Sequence, residues 1–389
     1  MKPSKEKTPA DGSFRPTNGR AKTERLSKIP SNRNTLRREL NFFSFVKPAR
    51  SPVFTQQENG YVPRMPVIEK STYKPPSLLP GGHLQTVYPV LFRKTPAVPY
   101  ARERIETPDG DFLDIDWSRT GSSRVAFLSH GLEGCSDKKY IRSMVRVLNK
   151  AGWDCAALNF RGCSGEINRT PRLYHSGTTD DLHTALTHVL LTGRYMEATL
   201  VGFSMGGNQT LKYLGEDDAK IPSQVSSAVV FSVPCDLEGA AVVMAAPSNR
   251  IYMHYFLMSL RQKILLKKKK FPDKFDVRGL QAIRTFKEFD DRFTAPLHGF
   301  KDAHDYWHTC SSLRFLSDVS RPTLVVNAGN DPFLSPSCYP IRHAENNPFL
   351  FAENPAAGGH VGFPLVGADT VYWSEKRALQ FLQQVTTGF

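Results

Sequence analysis

The sequence contains few cysteines, and they follow no functional spacing. Six are scattered through 389 residues, without a CxxC pair or the spacing of a metal site. Several fall inside apolar segments that are typical of core strands. We therefore expect buried, reduced thiols rather than a disulfide framework, and we expect neither a metal ion nor an organic cofactor.

Long hydrophobic runs are also missing. No stretch approaches the roughly 18 uninterrupted apolar residues of a membrane-spanning helix. The N-terminus lacks the basic-then-apolar order of a secretory signal. These absences argue against export and membrane spanning, and they predict a cytoplasmic protein, with peripheral membrane contact left open.

Acidic residues are scarce at the N-terminus. Residues 1–50 carry 13 Lys or Arg and 4 Asp or Glu, which accounts for +9 of the formal net charge of +14. Such a polar segment buries too little apolar surface to offset its ordering entropy, so a disordered basic tail is expected. It is either a solvated tail or a peripheral contact with anionic membranes. An organelle transit peptide is a further alternative, which Glu6, Asp11 and Glu24 disfavour. Specific nucleic-acid binding is not expected.

From about residue 100, strand-like and helix-like segments alternate, which predicts an α/β fold with a mostly parallel sheet covered by helices on both faces. The first two strands flank the turn signal Pro108-Asp109-Gly110 and form an antiparallel hairpin. The others are continuous apolar runs of the kind that is buried on both faces. The eight predicted strands are 102–107, 111–117, 124–129, 154–160, 198–203, 226–233, 323–328 and 349–352.

Helical spacing predicts helices over 139–151, 180–191, 205–215 and 373–385. The interval 236–316 interrupts the alternation with aromatic and basic helical material. An insertion between two sheet strands is expected to form a lid over the carboxyl ends of the strands, where ligands bind. The predicted organisation is a basic tail over 1–50, an extension over 51–101 that packs on the body, and a main domain over 102–389.

Gly202-Phe203-Ser204-Met205-Gly206 follows an apolar strand and opens a helix. That context turns a common five-residue pattern into a nucleophile elbow. The small flanking residues let the strand and the helix approach closely around a strained turn. Ser204 is therefore the candidate nucleophile.

Two residues that can complete a catalytic triad follow Ser204 in the chain. Asp331 comes just after an apolar strand, where an acid can orient a histidine. Taken alone, Asp331 before Pro332 fits a turn-initiating residue better than a catalytic acid. His360 lies in the glycine-rich loop Gly358-Gly359-His360-Val361-Gly362 and can act as general base. The order Ser, Asp, His is that of the α/β-hydrolase fold.

Backbone amides are needed to stabilise an oxyanion beside the nucleophile. One candidate donor is Met205, directly after Ser204. The second is Leu132, in the loop His130-Gly131-Leu132-Glu133-Gly134 after the third strand. Because His130 ends a strand far upstream of Ser204, a structural role in orienting the loop is expected for it.

Several segments in register resemble the YheT-like (AB-hydrolase-4) family of α/β-hydrolase fold serine esterases. The resemblance covers about residues 75 to 385. It implies a Ser204–Asp331–His360 triad acting on carboxylic esters, with short- to medium-chain acyl esters or lipids as substrates. No chemistry is assigned to His83 or Gln85 of the first segment. The matching segments are 82–86, 130–134, 159–165, 174–177, 202–207, 330–332 and 359–362.

Two alternative functions stay open. An acyltransferase would use the same triad to form esters from acyl thioesters and alcohols. A non-catalytic scaffold would use the basic tail to recruit membrane or RNA, and an intact triad counts against it.

Three other features are given structural interpretations. His175 and Asp180 have the spacing of an acyltransferase signature, but Asp180 and Asp181 also stand where a helix N-cap is expected. Arg161 is expected to hold the active-site loops through a salt bridge, with binding of a substrate carboxylate or phosphate as the alternative. The run 267–270 is expected to be a solvated basic helix end, with contact to an anionic membrane as the alternative.

Overall fold

The computed structural model describes residues 67–193, 195–365, 367 and 371–386. The predicted tail over 1–50 and the first part of the predicted extension, up to residue 66, lie outside these ranges. All of the described residues belong to one compact unit.

A nine-stranded sheet forms the centre of the fold, in the spatial order β1-β9-β8-β7-β6-β4-β5-β3-β2. All neighbours pair in parallel except β2 with β3 and β3 with β5. The strands are β1 (Val67–Ile68), β2 (Ala101–Glu106), β3 (Phe112–Ser118), β4 (Arg124–Ser129), β5 (Asp154–Asn159), β6 (Glu197–Phe203), β7 (Val225–Phe231), β8 (Thr323–Val326) and β9 (Leu350–Glu353).

The α/β class with a mostly parallel sheet is confirmed, and all eight predicted strands are present. The ninth strand, β1, was not predicted. It has only two residues and pairs with β9 at the sheet edge, Val67 opposite Ala352. A strand this short has no period of its own, so its pairing depends on the far end of the chain.

Helices cover both faces of the sheet because β4 to β9 are apolar on both sides. One core cluster joins the sheet to α2 and α11, and another joins it to α3 and α4. The helices are α1 (Gly81–Phe92), α2 (Lys139–Lys150), α3 (Thr179–Gly193), α4 (Met205–Glu216), α5 (Leu237–Met244), α6 (Arg250–Lys270), α7 (Phe286–Phe289), α8 (Ala295–His298), α9 (Ala303–Cys310), α10 (Ile341–Asn346) and α11 (Trp373–Thr386).

Between β7 and β8 the chain forms α5 to α9 and a five-residue π-helix, Asp290–Thr294. These elements share a cluster of buried apolar and aromatic side chains, including Met253, Leu257, Phe289 and Phe293. The longest of them, α6, has 21 residues. A separate apolar core of this kind gives the inserted segment a packing of its own above the sheet.

Helix α1 was missed by the sequence analysis and is firmly attached to the body. It contains Pro89 and has no capping side chain at Pro80. Arg93, which follows its last residue, forms a 2.8 Å ion pair with Glu375 of α11, and both side chains are buried. Among the described residues, no helix is long and apolar enough to cross a membrane.

Candidate active site

Ser204 occupies the sharp turn between β6 and α4. Its backbone has φ 51° and ψ −119°, a region that costs free energy for any residue with a Cβ. The turn is held from both sides, because the Ser204 amide donates to Phe231 O (2.9 Å) and the Asn208 amide donates to Ser204 O (3.0 Å). The strained turn projects the Ser204 hydroxyl beyond the carboxyl end of the sheet.

Two glycines make this turn possible. A Cβ on Gly206 would lie 2.5 Å from His130 O and 2.6 Å from Ser129 O. A Cβ on Gly202 would lie 2.7 Å from both Gly206 O and the Gly207 Cα. These obstacles are backbone atoms, which cannot move aside as a flexible side chain can. These contacts show why the turn needs glycine at positions 202 and 206, as the elbow pattern predicts.

The structure brings Ser204, His360 and Asp331 into one hydrogen-bonded chain. His360 Nε2 lies 2.9 Å from Ser204 Oγ. His360 Nδ1 lies 2.9 Å and 3.1 Å from the two carboxylate oxygens of Asp331. The Asp331 side chain is fully buried, whereas 10% of the His360 side chain is exposed. With Asp331 accepting from Nδ1–H, Nε2 is left as an acceptor for the Ser204 proton.

Helix α1 holds the loops that carry Asp331 and His360. The buried Gln85 side chain accepts from the Gly358 amide (2.7 Å) and from Asn330 Nδ2 (3.1 Å), and its Nε2 donates to Leu79 O (2.8 Å). Thr86 Oγ1 accepts from the His360 amide at 2.9 Å. One helix thus positions both the acid loop and the base loop.

Close backbone packing accompanies these hydrogen bonds. A Cβ on Gly82 would lie 1.8 Å from Asn330 O, and one on Gly362 would lie 2.2 Å from Gln85 O. The glycines in the 82–86 and 359–362 segments therefore let α1 and the histidine loop touch. The sequence analysis assigned no role to the 82–86 segment, because nothing local links residues 82–86 to residues 359–362.

Both candidate oxyanion donors line the same cavity as Ser204 and His360. Gly131 places their loop against the nucleophile, since a Cβ there would lie 3.2 Å from the Ser204 Cβ. On either side of Leu132 the amides are occupied: Gly131 donates to the Tyr140 hydroxyl (3.0 Å) and Glu133 to the Tyr174 hydroxyl (2.9 Å). Within the described ranges, the amides of Leu132 and Met205 have no acceptor. Both amides are therefore available to a bound oxyanion.

His130 does not take part in the triad and instead shapes this loop. Its Nε2 accepts from the Phe160 amide (3.2 Å), so its Nδ1–H donates to Gly131 O (2.7 Å). Complete burial lowers the pKa of His130 to about 3, which keeps the ring neutral. The expected loop-orienting role is confirmed by these contacts.

The loop is also tied to the inserted segment by a buried ion pair. Lys263 Nζ of α6 lies 2.8 Å from Glu133 Oε1, and both side chains are at least nine-tenths buried. Glu133 also accepts from the hydroxyls of Ser259 and Tyr174. Burial alone would raise the pKa of Glu133, but the Lys263 ammonium and these hydrogen bonds hold that pKa below its usual value. Lys263 lies in no motif, so no sequence signal identified it.

An elongated cavity leads from Ser204 into the segment between β7 and β8. Its wall is largely apolar and aromatic, and the segment between β7 and β8, which includes helices α5, α6, α7 and α9, supplies most of it. Phe333 packs on the His360 ring with centroids 4.2 Å apart. Representative lining residues are Leu237, Met244, Phe256, Leu260, Phe289 and Trp307.

Asp290 is the buried carboxyl in this wall, at the start of the π-helix. It accepts from Thr294 Oγ1 (2.5 Å) and from Trp307 Nε1 (2.9 Å). Burial raises the pKa of Asp290 to about 7. The hydrogen bonds from Thr294 and Trp307 satisfy the Asp290 carboxyl inside the cavity wall.

The structure separates the His175–Asp180 pair. Asp180 accepts from Arg172 Nη2 at 2.6 Å, whereas the partly buried His175 lies beside Cys310, with Nδ1 3.8 Å from its Sγ. Asp180 and Asp181 lie in the first turn of α3, so the N-cap position expected for them was wrong by at least one residue. No His–Asp dyad forms here.

The expected salt bridge of Arg161 is confirmed. This buried guanidinium contacts the carboxylates of Asp109 (2.9 Å), Asp111 (3.1 Å) and Asp181 (2.7 Å). It joins the β2–β3 turn to α3 and does not line the cavity.

The prediction that residues 267–270 form a solvated helix end is wrong for Lys267. Lys267 is 1% exposed and donates to the carbonyls of Thr170 (2.5 Å) and Arg172 (3.1 Å). Burial lowers its pKa to about 8. The difference arises because α6 continues four residues beyond its predicted apolar stretch and packs its last turn on the 168–172 loop.

Comparison with known proteins identifies the family. A family model described as alpha/beta hydrolase fold matches residues 127–364. The chain belongs to the α/β-hydrolase family. Within it, the chain is 34% identical to "Putative esterase YheT" of Escherichia coli (strain K12), over 77% of this chain and 89% of that protein. The resemblance to the YheT-like branch is thereby confirmed, and the chain is an esterase- or lipase-like hydrolase of this family.

Two further relatives and one solved structure support the assignment. "Phospholipase ABHD3" of Mus musculus is 31% identical over 77% of this chain and 74% of that protein. "Monoacylglycerol lipase" of Saccharomyces cerevisiae is 28% identical over 66% of this chain and 58% of that protein. The structure of a Pyrococcus furiosus esterase superposes with a TM-score of 0.51 at 16% identity, over 75% of this chain and 92% of that chain. This last likeness supports the fold alone.

Proposed function

We propose that this α/β-hydrolase is a serine carboxylic ester hydrolase that works through an acyl-enzyme. The observation that carries the proposal is the chain of hydrogen bonds from Ser204 Oγ through His360 to the buried Asp331. Each residue type in that chain matches a step of nucleophilic acyl transfer.

In the first half-reaction, Ser204 Oγ attacks the ester carbonyl carbon while His360 Nε2 takes the hydroxyl proton. Asp331 holds the imidazole and stabilises its charged form. The amides of Leu132 and Met205 donate to the oxyanion of the tetrahedral intermediate. The bond to the alcohol oxygen then breaks, and His360 returns its proton to the departing alcohol.

In the second half-reaction, His360 takes a proton from water, whose oxygen attacks the acyl carbon. The Ser204 Oγ–acyl bond breaks, Oγ is reprotonated and the free acid leaves. No metal ion or organic cofactor enters this scheme.

The proposed substrates are short- to medium-chain acyl esters or lipids. The apolar wall of the cavity supports an acyl chain as its occupant, because removing such a chain from water is favourable in proportion to its buried area. The printed names of the relatives, an esterase, a phospholipase and a monoacylglycerol lipase, point to the same bond type.

Labelling with a fluorophosphonate tests the nucleophile. We expect wild type and the exposed control Ser223→Ala to label and Ser204→Ala not to label, and ester hydrolysis to fall at least about 10⁴-fold in Ser204→Ala. A wild-type protein that does not label overturns the mechanism.

With an ester panel of graded acyl length, adding an alcohol acceptor and comparing new ester with free acid separates hydrolysis from acyl transfer.

A further inference from the structure

Exposed apolar side chains are concentrated on two helices. Within the described part of the chain, fourteen large apolar residues are exposed, and ten of them belong to α1 and α6. A concentration of this kind differs from the scattered exposure that is normal for a surface, and it marks a site of interaction.

On each helix three of these residues share a face opposite the side chains that contact the active site. Ile251, Tyr255 and Met258 follow one another at helical spacing on α6, at 80%, 51% and 53% exposure. Phe256 and Lys263, on the opposite face of α6, line the cavity. A helix is only about 10 Å thick, so the exposed face lies directly outside the catalytic cavity.

Helix α1 has the same two-sided arrangement. Leu84, Val87 and Leu91 form its exposed face, whereas Gln85 and Thr86 on the inner side hold the acid and base loops. The two exposed faces together are called the outer apolar face below.

The two helices that carry the outer apolar face touch each other where they begin. The rings of His83 (α1) and Tyr252 (α6) stack with centroids 5.7 Å apart and planes 8° apart, and His83 Nδ1 lies 3.2 Å from the Tyr252 hydroxyl. Leu84 follows the first of these residues, and Ile251 precedes the second. The contact places the first turns of α1 and α6 side by side.

Charge indicates what covers this face. Neither α1 nor α6 contains an Asp or Glu residue. Arg250 lies at one end of α6, and Lys269 and Lys270 are exposed at the other. An apolar stripe bounded by cations, without acidic residues, complements the acyl chains and phosphate groups of an anionic bilayer surface.

We propose that the outer apolar face of α1 and α6 docks on the surface of an anionic phospholipid bilayer. Ile251, Tyr255 and Met258 insert among the acyl chains near the headgroups, and the lysines at the end of α6 remain beside the lipid phosphates. Docking in this way sets the catalytic cavity one helix diameter from the bilayer. It is a binding property of the outer face and is separate from the ester hydrolysis proposed above.

Vesicle co-flotation of the full chain tests the proposal. In a Ser204→Ala background, so that turnover plays no part, we expect binding to phosphatidylcholine vesicles that contain phosphatidylserine and weaker binding to phosphatidylcholine alone. Ile251→Glu combined with Met258→Glu lowers binding about tenfold or more, because two apolar contacts are replaced by charges. Lys269→Glu lowers binding about fivefold.

Matched controls separate docking from general surface effects. The double substitution Leu191→Glu/Met196→Glu changes two apolar residues that are 77% and 78% exposed. Neither of them belongs to α1 or α6. We expect this pair, and Lys150→Glu, to bind vesicles as the parent does. When Ser204 is kept, the Ile251→Glu/Met258→Glu protein is expected to hydrolyse a dissolved short-chain ester at the wild-type rate, because neither residue lines the cavity.

Three results would overturn the proposal. In the first, the Ser204→Ala parent protein does not bind phosphatidylserine vesicles. In the second, the Ile251→Glu/Met258→Glu variant of this parent binds them as well as the parent does. In the third, the parent is a dimer that binds no vesicles and becomes monomeric on these substitutions, which assigns the face to a second copy. None of these results depends on whether Ser204 is the nucleophile.

Discussion

The proposed nucleophile and its proposed acid–base partners are held in place by different parts of the chain. Ser204 is positioned by residues close to it in sequence and by the neighbouring strand ends, through Gly202, Gly206 and Phe231. Asp331 and His360 are positioned by a helix that begins some 250 residues earlier in the chain, through Gln85 and Thr86. Local steric constraint governs one side of the site, and long-range hydrogen bonding governs the other.

This comparison shows why the two sides differ in tolerance. The nucleophile turn depends on the absence of side-chain atoms, so any added atom meets backbone. The acid–base loops also need close glycine contacts, at Gly82 and Gly362. They depend in addition on the side chains of Gln85 and Thr86, whose hydrogen bonds a substitution can reproduce in part. Substitutions on the two sides should therefore fail in different ways.

Gly206→Ala should have the largest effect. Its Cβ would lie 2.5 Å from His130 O and 2.6 Å from Ser129 O, and neither carbonyl can move without breaking the strand ends. We expect a loss of about 2–4 kcal/mol in the free energy of unfolding, measured by urea denaturation, and loss of fluorophosphonate labelling.

Gly329→Ala is the control for this change. It also lies in a loop at the site, but the nearest atom to its Cβ would be Ala356 O at 3.5 Å, an ordinary contact. We expect its stability to stay within about 1 kcal/mol of wild type. Equal stability of the two variants would contradict the steric account of the elbow.

Gln85→Leu should have an intermediate effect, mainly on catalysis. The buried Gly358 amide and Asn330 Nδ2 lose their common acceptor, at a cost of about 1–3 kcal/mol for each unsatisfied group. As the acid and base loops loosen, kcat is expected to fall about 10- to 100-fold, with a smaller change in KM. Steady-state kinetics on a dissolved ester measures the split.

Two companion variants sharpen the test of Gln85. Gln85→Glu keeps an acceptor oxygen for both donors, so it should recover part of kcat. The same Gln-to-Leu change at the exposed Gln281 should leave kcat unaltered. If Gln85→Leu lowers stability but leaves kcat intact, Gln85 is a packing residue and does not position the triad.

His130 should produce the smallest effect, seen in the pH dependence of stability. Its pKa is about 3 in the folded protein and about 6.5 when unfolded, so between these values the unfolded chain binds the extra proton. The contribution of His130 to the free energy of unfolding is thus complete above pH 6.5 and declines as the pH falls. From pH 6.5 to pH 5, the loss is about 2 kcal/mol.

Urea denaturation of wild type and His130→Gln at both pH values measures this contribution. The variant should have a shallower decline with falling pH, whereas the same change at the exposed His308 should leave the decline as in wild type. Parallel declines in wild type and His130→Gln would show that His130 is not the group that takes up the proton.

The parts of the fold that the sequence predicted are those with a local signature. Continuous apolar runs marked the buried strands, and Gly202–Gly206 between a strand and a helix marked the elbow. Asp331 and His360 were selected by their order along the chain, and the structure brings both to Ser204. Their catalytic roles, and those of Leu132 and Met205, remain the proposal made above.

The unpredicted features depend on contacts between distant segments. Helix α1 contains a proline and starts without a capping side chain, and its identity as a helix is stabilised by packing on the 330 and 358–362 loops. Lys263 and Lys267 have the same residue type as their exposed neighbours, and only the partners Glu133 and the Thr170 carbonyl distinguish them. A sequence pattern contains no record of such partners.

The buried ion pair between Arg93 and Glu375 has a consequence for how the protein is made. Helix α1 leaves the ribosome early, but Asn330, His360 and Glu375, to which it attaches, are synthesised last. During synthesis this helix is therefore made before the segments that it contacts. The contacts that hold the acid and base loops can thus form only after residues 330–375 have been made.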